Sequence, residues 1–360
     1  MNVAGLPATL NPNDVPGDKT TNVETIGSKF AEYGYDVIHV QEDFNYHAAI
    51  FRTDNHPFRT ATSGGVPFGS GLNTLSKLDW VRFERVKWAT CSDASSSDCL
   101  TPKGFTFMRA AISAGAADNT TAVYVDFYNL HADAGTEGGD NPSYIAAFSQ
   151  GNAVLTYGDT NGRYSRAADT AIREEGLCAK PSSNHSCETV DKVFYRSSPL
   201  VTLKAETFQY ASSLFLQADG NVLSGHNPVS VNFTWSSGPS LRQSTFRGGS
   251  YGTWFSDVSV GLTLTDGTRL THGGTGGSAT SITLGASEYW VEARLCQGQR
   301  SGQTRNFYSR ASTTSGRTVA AGTATQDYAT FSAPSGWHIV GFLGQAGDEL
   351  DQLAFVYAPK

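Results

Sequence analysis

The stretch "TAVYVDFYNLH", residues 121–131, shows how the first part of the chain is built. Its apolar, aromatic and β-branched residues predict a buried strand, and it ends in polar residues. The segments "YDVIHVQE" (35–42) and "NAVLTYGDTN" (152–161) have the same arrangement. Because such strands bring their polar ends to one edge of a sheet, we expect a catalytic site there.

The composition favours strands and turns over long helices. The 360 residues include 38 Gly and 39% hydrophobic residues, enough for a sizeable core and many turns. In "TNVETIGSKFAEYG" (21–34), four apolar residues fall on one helical face: Val23, Ile26, Phe30 and Ala31. Gly34 then predicts the end of this helix. The fold class expected is α+β.

The net charge of −7 argues against tight non-specific binding of nucleic acid, which depends on contacts from Lys and Arg to phosphates. A nuclease with one local basic cleft remains open. No stretch is long and apolar enough to predict a transmembrane helix.

Cysteines and glycosylation sequons favour a secreted glycoprotein. Two cysteine pairs each bracket a polar loop, which predicts the disulfides Cys91–Cys99 and Cys178–Cys187; neither pair has the spacing of a zinc site. Cys296 is expected to be a buried free thiol. Sequons lie at Asn119, Asn184 and Asn232. We expect an upstream leader before Met1, since the sequence contains no signal peptide.

Separated polar clusters supply the residue types of a phosphoryl reaction. They contain Asn2, Glu42, His131, Asp159, Asn161, Asp191 and His226. A carboxylate can hold Mg²⁺, an Asp or His can activate water, and a second His can protonate a leaving group. Each residue alone has an ordinary structural interpretation, such as a surface Glu or a turn. Their number and order favour a site.

This order of motifs, Asn, Gln-Glu, Asn-x-His, Gly-Asp-x-Asn, Asp and Ser-x-His, resembles the endonuclease/exonuclease/phosphatase superfamily, which includes deoxyribonuclease I and neutral sphingomyelinases. The resemblance covers about residues 1–235. It implies a four-layered α/β sandwich, two packed sheets flanked by helices, and a Mg²⁺- or Mn²⁺-dependent phosphoric ester hydrolase.

The resemblance also implies roles for individual residues. Glu42 and Asn2 would bind the metal ion, and Asp159 would align or deprotonate the attacking water. Asn161 would hold a phosphate oxygen, and His131 and His226 would flank the scissile phosphate. Two acidic residues would orient these histidines: Glu84 for His131, and Asp191 for His226. Arg163 or Lys192 could clamp the phosphate.

One position departs from the superfamily pattern. Gly225 in "SGH" (224–226) stands where the superfamily has a metal-binding Asp. Losing a carboxylate should weaken the binding of a hard cation. Three interpretations stay open: the remaining ligands suffice, Asp43 compensates, or the domain is a weak enzyme or a pseudoenzyme.

The character of the chain changes after a polar, turn-rich segment, for which we predict a linker at residues 236–243. Residues 244–360 contain "GGSYGTW", "HGGTGGS" and many short alternating strands, which predict an all-β module. They resemble a jacalin-like lectin, and the resemblance implies a β-prism. Its sugar loop would comprise Gly347, Asp348, Glu349 and Asp351, with Gly249 nearby. These glycines are equally consistent with simple tight turns.

The function expected is that of a secreted phosphodiesterase whose lectin module targets it to glycans. Its substrate class, nucleic acid or a phospholipid head group, stays open. The alternative is a carbohydrate-binding protein with a catalytically impaired phosphoesterase domain, which Gly225 favours.

Overall fold

The computed structural model describes residues 1–7, 15–64, 69–91, 98–113, 121–133, 148–149, 151–161, 190–248, 259–263, 267–273, 279–346 and 350–360. The chain divides into two compact units. The first comprises Met1–Ala110, Val125–Ser198 and Leu203–Ser236, and the second comprises Ala111–Tyr124, Pro199–Thr202 and Ser237–Lys360. The domain bounds expected from the sequence remain a prediction.

Two α-helices, two short 3₁₀ helices (Asp98–Leu100 and Ser212–Leu214) and ten strands have bounds in the described part of the chain before residue 238. The α-helices are α1 (Lys19–Tyr33) and α2 (His47–Thr53). The strands are β1 (Val37–Val40), β2 (Phe58–Arg59), β3 (Asn73–Ser76), β4 (Trp80–Lys87), β5 (Gly104–Ser113), β6 (Val123–His131), β7 (Ala153–Asp159), β8 (Asp191–Arg196), β9 (Val201–Tyr210) and β10 (Val229–Ser237). They form sheets of order β1-β3-β2 and β4-β5-β6-β7-β8, and a ribbon of β9 and β10.

Helix α1 has a capping residue at each end. The Asp18 carboxylate accepts a hydrogen bond from the backbone N–H of Thr21, and Gly34 adopts the left-handed conformation that closes the helix. The helix buries Val23, Ile26 and Phe30, as predicted. These side chains pack in one hydrophobic core with α2, β1 and β3.

Side chains on β1 point alternately to the two faces of the first sheet, so one face packs on the helices and the other on the second sheet. Ile38 and Val40 belong to the core beneath the helices. Their neighbour His39 points the opposite way, where its ring lies 5.2 Å from that of Tyr157 on β7. Helices, first sheet and second sheet therefore form three layers of the expected sandwich.

The other face of the second sheet has a core of its own. Trp88, Phe105, Phe107 and Tyr128 pack there with Leu130. On β6 these apolar residues alternate with the polar positions that face the first sheet. The sheet is therefore buried on both faces, which explains why β6 reads as a nearly continuous apolar run.

Every regular element described after Ser237 is a strand, in agreement with the predicted all-β module. The strands are β11 (Arg242–Gln243), β12 (Arg247–Gly248), β13 (Ser259–Thr263), β14 (Arg269–Gly273), β15 (Trp290–Arg300), β16 (Gln303–Thr313), β17 (Thr318–Gly322), β18 (Asp327–Ser332), β19 (Trp337–Ala346) and β20 (Leu350–Pro359). Eight form one sheet along β11-β20-β19-β15-β16-β17, with β12 on β20 and β18 on β15; β13 pairs with β14. Leu295, Phe331 and Phe355 lie in its core.

None of the described helices combines the length and apolar character needed to cross a membrane.

A buried histidine predicts how stability depends on pH. Burial lowers the pKa of His39 from 6.5 to about 3, and its Nδ1 lies 2.8 Å from Thr74 Oγ1. Between these values the unfolded chain binds a proton that the folded chain does not, so stability falls as the pH drops through this window, by about 1.4 kcal/mol per pH unit. Urea unfolding measures the free energy of unfolding at pH 7 and at pH 4.5. Between these two pH values, His39→Gln should lose less of that free energy than the parent chain. Equal losses would contradict this role of His39.

Candidate active site

Three strands of the second sheet bring polar residues into one row. Parallel pairing of β6 with β7 sets His131 opposite Asp159, and antiparallel pairing of β7 with β8 sets Asp159 opposite Asp191. All three side chains are almost fully buried. Residues directly opposite one another share a sheet face, so the pairing itself assembles an imidazole and two carboxylates.

The Asn2 amide connects this row to the first sheet. Asn2 forms a parallel bridge with Gln41 beside the end of β1. Its Nδ2 donates to Glu42 Oε1 over 2.9 Å and to Asp159 Oδ2 over 3.0 Å. Its Oδ1 accepts from the backbone N–H of Ala4. One short side chain thereby holds two carboxylates from different sheets against each other.

Glu42 lies in a turn with a strained backbone conformation. Glu42 has a φ of 57°, a left-handed conformation that costs a non-glycine residue about 1 to 3 kcal/mol. Its carbonyl accepts from the N–H of Gly5 over 2.8 Å, and a Cβ at Gly5 would lie 2.4 Å from that oxygen. Glycine at position 5 therefore permits the close approach that fixes the turn carrying Glu42.

Asp191 orients His226, as expected from the sequence. His226 Nδ1 lies 2.7 Å from Asp191 Oδ2, and its Nε2 lies 3.4 Å from Asn2 Nδ2. Burial alone would lower the pKa of His226, but its hydrogen bond with Asp191 and the nearby charges of Asp159 and Glu42 raise it to about 9. His226 is thus an imidazolium at neutral pH.

Ser224 anchors the turn that carries His226. The Ser224 hydroxyl donates to the backbone carbonyl of Asn2 over 2.6 Å and accepts from the N–H of His226 over 3.1 Å. The serine of the Ser-x-His motif therefore fixes the first strand to this turn.

Both ring nitrogens of His131 lack a hydrogen-bond partner in the part of the chain that the structure describes. The residue is 1% exposed, and neither Nδ1 nor Nε2 has a hydrogen-bond partner among the described residues. Its nearest carboxylate oxygen, Asp159 Oδ2, lies 3.4 Å from Nε2. Burial lowers the pKa of His131 more than the Asp159 charge raises it. Since buried polar atoms are normally paired, the ring nitrogens of His131 are suited to a ligand.

Asn161 braces Asp159 through its backbone. The N–H of Asn161 donates to Asp159 Oδ1 over 3.0 Å, while its Nδ2 donates to the carbonyl of Ala132 over 2.6 Å. Asn161 has a left-handed φ of 46°. Burial would raise the pKa of Asp159, but the nearby imidazoles of His131 and His226, with hydrogen bonds from the Asn161 N–H and the Asn2 amide, outweigh burial and lower this pKa. Asp159 therefore stays a carboxylate.

Two overlapping groups could hold a cation among the described residues. One consists of Glu42, His131 and Asp159, the other of Asp159, Asp191 and His226, and in each the ligand atoms lie within 4.8 Å of one another. Neither includes Asp43. Its Oδ2 instead accepts from Asn73 over 2.7 Å, and burial raises its pKa to about 6. Asp43 therefore lies outside both groups.

The expected contact between Glu84 and His131 is wrong. Strand β5 lies between β4, which carries Glu84, and β6, which carries His131; strands two apart are separated by about 9.6 Å. Glu84 Oε1 instead accepts from Arg82 Nε over 2.6 Å. Of the suggested phosphate clamps, Lys192 donates to Thr160 Oγ1 over 3.3 Å, and Arg163 lies outside the described residues.

Sequence reasoning assigned no role to Gln41 and Asn129, although both stand in quoted motifs. Gln41 Nε2 donates to Asn129 Oδ1 over 2.6 Å. Asn129 Nδ2 in turn donates to the carbonyls of Val40 and Asn73, over 2.9 and 3.1 Å. This buried amide pair joins the two sheets immediately behind Glu42 and His131.

Most of the predicted sugar loop lies outside the described residues: Gly249, Gly347, Asp348 and Glu349. The carboxylate of Asp351 is fully buried and lies 3.0 Å from Arg305 Nε. The Cys91–Cys99 disulfide is confirmed, and Cys296 is a buried free thiol. Cys178 and Cys187 lie outside the described residues.

Two kinds of known protein are similar to this chain. Residues 249–356 match the family model of the jacalin-like lectin domain. Proteins named sphingomyelinase from Mycobacterium tuberculosis and Mycobacterium bovis are 33% identical over 264 residues, covering 64% of this chain and 51% of theirs. The chain thus spans about half the length of these curated relatives.

Two solved structures are also similar to parts of this chain. Sphingomyelinase C from Streptomyces griseocarneus is 19% identical with a TM-score of 0.41, covering 66% of this chain and 97% of that chain. Malaysian banana lectin is 21% identical with a TM-score of 0.28, covering 33% and 98%.

The chain therefore resembles proteins named sphingomyelinase and, over residues 249–356, the jacalin-like lectin domain, and the predicted α+β class is confirmed.

Replacing Asp191 should lower the pKa of His226. Asp191→Asn removes the charge that stabilises the imidazolium, so the burial effect should dominate and His226 should lose its proton well below pH 9. An NMR titration of the imidazole nitrogens measures this. Asp43→Asn, which changes a carboxylate outside the row, is the control and should leave the titration unchanged. An unaltered His226 in the Asp191 variant would contradict the assigned pairing.

Proposed function

We propose that the first unit hydrolyses phosphodiesters with the help of a divalent cation, Mg²⁺ or Mn²⁺. The observation that carries this proposal is the meeting of residues distant in sequence: Asn2, Glu42, His131, Asp159, Asp191 and His226. Around one small volume they provide carboxylates, an imidazolium and an imidazole with unpaired nitrogens. These are the groups that phosphoryl chemistry requires.

The carboxylates of Glu42 and Asp159 fit a hard cation, because both approach the same Asn2 amide nitrogen. Glu42 would be the principal ligand. Asn2 would offer its oxygen after its amide turns over, at the loss of the hydrogen bond from Ala4 and of those from its Nδ2 to Glu42 and Asp159, which the cation would replace. A bound cation would neutralise charge on the phosphate.

Asp159 is placed to align or deprotonate the attacking water. Its charge is maintained by the imidazolium of His226 and by hydrogen bonds from the N–H of Asn161 and the Asn2 amide. Asn161 would also bind a phosphate oxygen, in addition to bracing Asp159.

The two histidines would act in different protonation states. His226 is charged at neutral pH because of Asp191, so it can stabilise developing negative charge or protonate the leaving oxygen. His131 is held neutral by burial, and an unpaired ring N–H can donate to a phosphate oxygen. Asp191 is thus a positioning residue for His226.

Lipid head groups are the substrate class that we favour. The relatives that are 33% identical carry the name sphingomyelinase, and the net charge of −7 is unfavourable for nucleic acid. Nucleic acid is the competing phosphodiester substrate.

The lectin domain would hold the enzyme near its target. We assign the catalytic domain to residues 1–235, the linker to 236–243 and the lectin domain to 244–360, and we propose that the protein is secreted and binds glycans. Joining two binding modules in one chain raises the local concentration of each near the target surface. The sugar would contact the loop that ends at Asp351.

Removing the His131 ring should abolish most of the activity. His131→Ala deletes the unpaired nitrogens, and we expect turnover to fall by about 10²- to 10⁴-fold. The assay uses sphingomyelin vesicles, plasmid DNA, RNA and bis-p-nitrophenyl phosphate with Mg²⁺ or Mn²⁺. His47→Ala, in α2 and outside the site, is the control and should retain activity. If no substrate were turned over by the parent chain, the hydrolase proposal would fail.

Restoring the missing carboxylate should strengthen cation binding. Gly225 does not have a positive φ, so its backbone accepts an Asp without left-handed strain. In Gly225→Asp we expect the Mg²⁺ concentration for half-maximal turnover to fall by about tenfold, since hard cations favour added carboxylates. An unchanged Mg²⁺ dependence would show that position 225 lies outside the cation site.

Gly225 also favours the second candidate, a glycan-binding protein with an impaired phosphoesterase domain. That candidate predicts binding on a glycan array, no turnover by the parent chain, and turnover that appears only in Gly225→Asp.

A further inference from the structure

An unusual pair of arginines lies on the sheet of the second unit. Arg294 on β15 is directly opposite Arg310 on β16. Like charges directly opposite on neighbouring strands repel each other. Both side chains are half-buried, so bulk water screens this repulsion only in part.

No carboxylate of the described residues compensates the pair. Neither guanidinium has a hydrogen bond or ion pair there; Arg294 only stacks on Tyr328, with 4.4 Å from its Cζ to the ring centroid. Other arginines of this unit do have acidic partners: Arg247 with Asp327, Arg305 with Asp351 and Arg317 with Glu288. Glu292 is two residues from Arg294 along β15 and on the same sheet face, but it lies opposite Ser312 and Ser332.

The neighbouring positions leave the pair accessible. Across the row, Arg310 is opposite Ala320 on β17 and Arg294 is opposite Thr330 on β18, both small residues. The core residues Ala293 and Leu295 alternate with Arg294, so the arginines point away from the core.

An aromatic row lies beside the arginines. Tyr308 and Tyr328 are opposite Cys296, one on each side, and Tyr328 is 54% exposed. This row is two residues from the arginine row along β15, or about 7 Å. The side chains approach more closely than the backbone positions, since the Arg294 guanidinium lies 4.4 Å from the Tyr328 ring centroid, so one ligand can contact an arginine and a tyrosine. Tyrosine offers a pyranose ring both an apolar face and a hydroxyl.

We propose that this surface, formed by Arg294, Arg310, Tyr308 and Tyr328, binds an acidic saccharide. The paired guanidinium groups bind the sulfate or carboxylate, because guanidinium donors match such oxyanions in a fork geometry. The tyrosines contact the sugar ring. This site lies on a sheet face and is separate from the loop that ends at Asp351.

The test measures binding of the full chain to a sulfated heparin tetrasaccharide and to the same tetrasaccharide after desulfation, by calorimetry at two salt concentrations. The parent should bind the sulfated form more tightly than the desulfated form, which keeps only its carboxylates, and the binding should weaken at high salt. Arg294→Gln and Arg310→Gln should each weaken binding at least tenfold. Arg300→Gln removes the same charge at the exposed end of β15 and should bind like the parent.

Two results would overturn the proposal. One is absence of binding, or equal binding by the parent and both variants. The other is binding of phosphatidylserine vesicles, but not of the tetrasaccharide, that is lost in the variants, which would assign the surface to a membrane. Hydrolysis of bis-p-nitrophenyl phosphate should be unchanged in both variants, so failure of this proposal is distinguishable from failure of the proposed hydrolase.

Discussion

The hydrogen bonds of the Asn2 amide are the interaction on which the site depends. A single nitrogen lies between Glu42 and Asp159, which would otherwise bring two negative charges together with no donor between them. These carboxylates come from separate sheets, so the site is assembled only when the two sheets pack against each other. Ser224 extends this link, because its hydroxyl binds the Asn2 carbonyl and holds the turn of His226.

Rigid backbone makes this arrangement possible. The left-handed conformations of Glu42 and Asn161 would be costly in isolation. They persist because close packing at Gly5 and the hydrogen bond from the Asn161 N–H leave few alternatives. Behind them, the Gln41–Asn129 amide pair joins the sheets without placing a charge in the interior.

Much of this was predictable from local pattern. The period of α1, its Gly34 cap and the polar ends of β1, β6 and β7 follow from neighbouring residues, and so did the pairing of Asp191 with His226 through its motif. Strand order is not a local property, so Glu84 was assigned to the wrong partner: β5 separates it from His131. The burial of Asp351 against Arg305 likewise depends on residues far apart in sequence.

The central claim is that Glu42 and Asp159 together hold a divalent cation. A crystal of the protein soaked in Mn²⁺ and measured at a wavelength where manganese scatters anomalously tests it most directly. The account predicts one anomalous peak beside both carboxylates, with oxygen distances of about 2.0 to 2.3 Å. A map without a peak there, in which the Asn2 amide nitrogen still binds both carboxylates at saturating Mn²⁺, would contradict it.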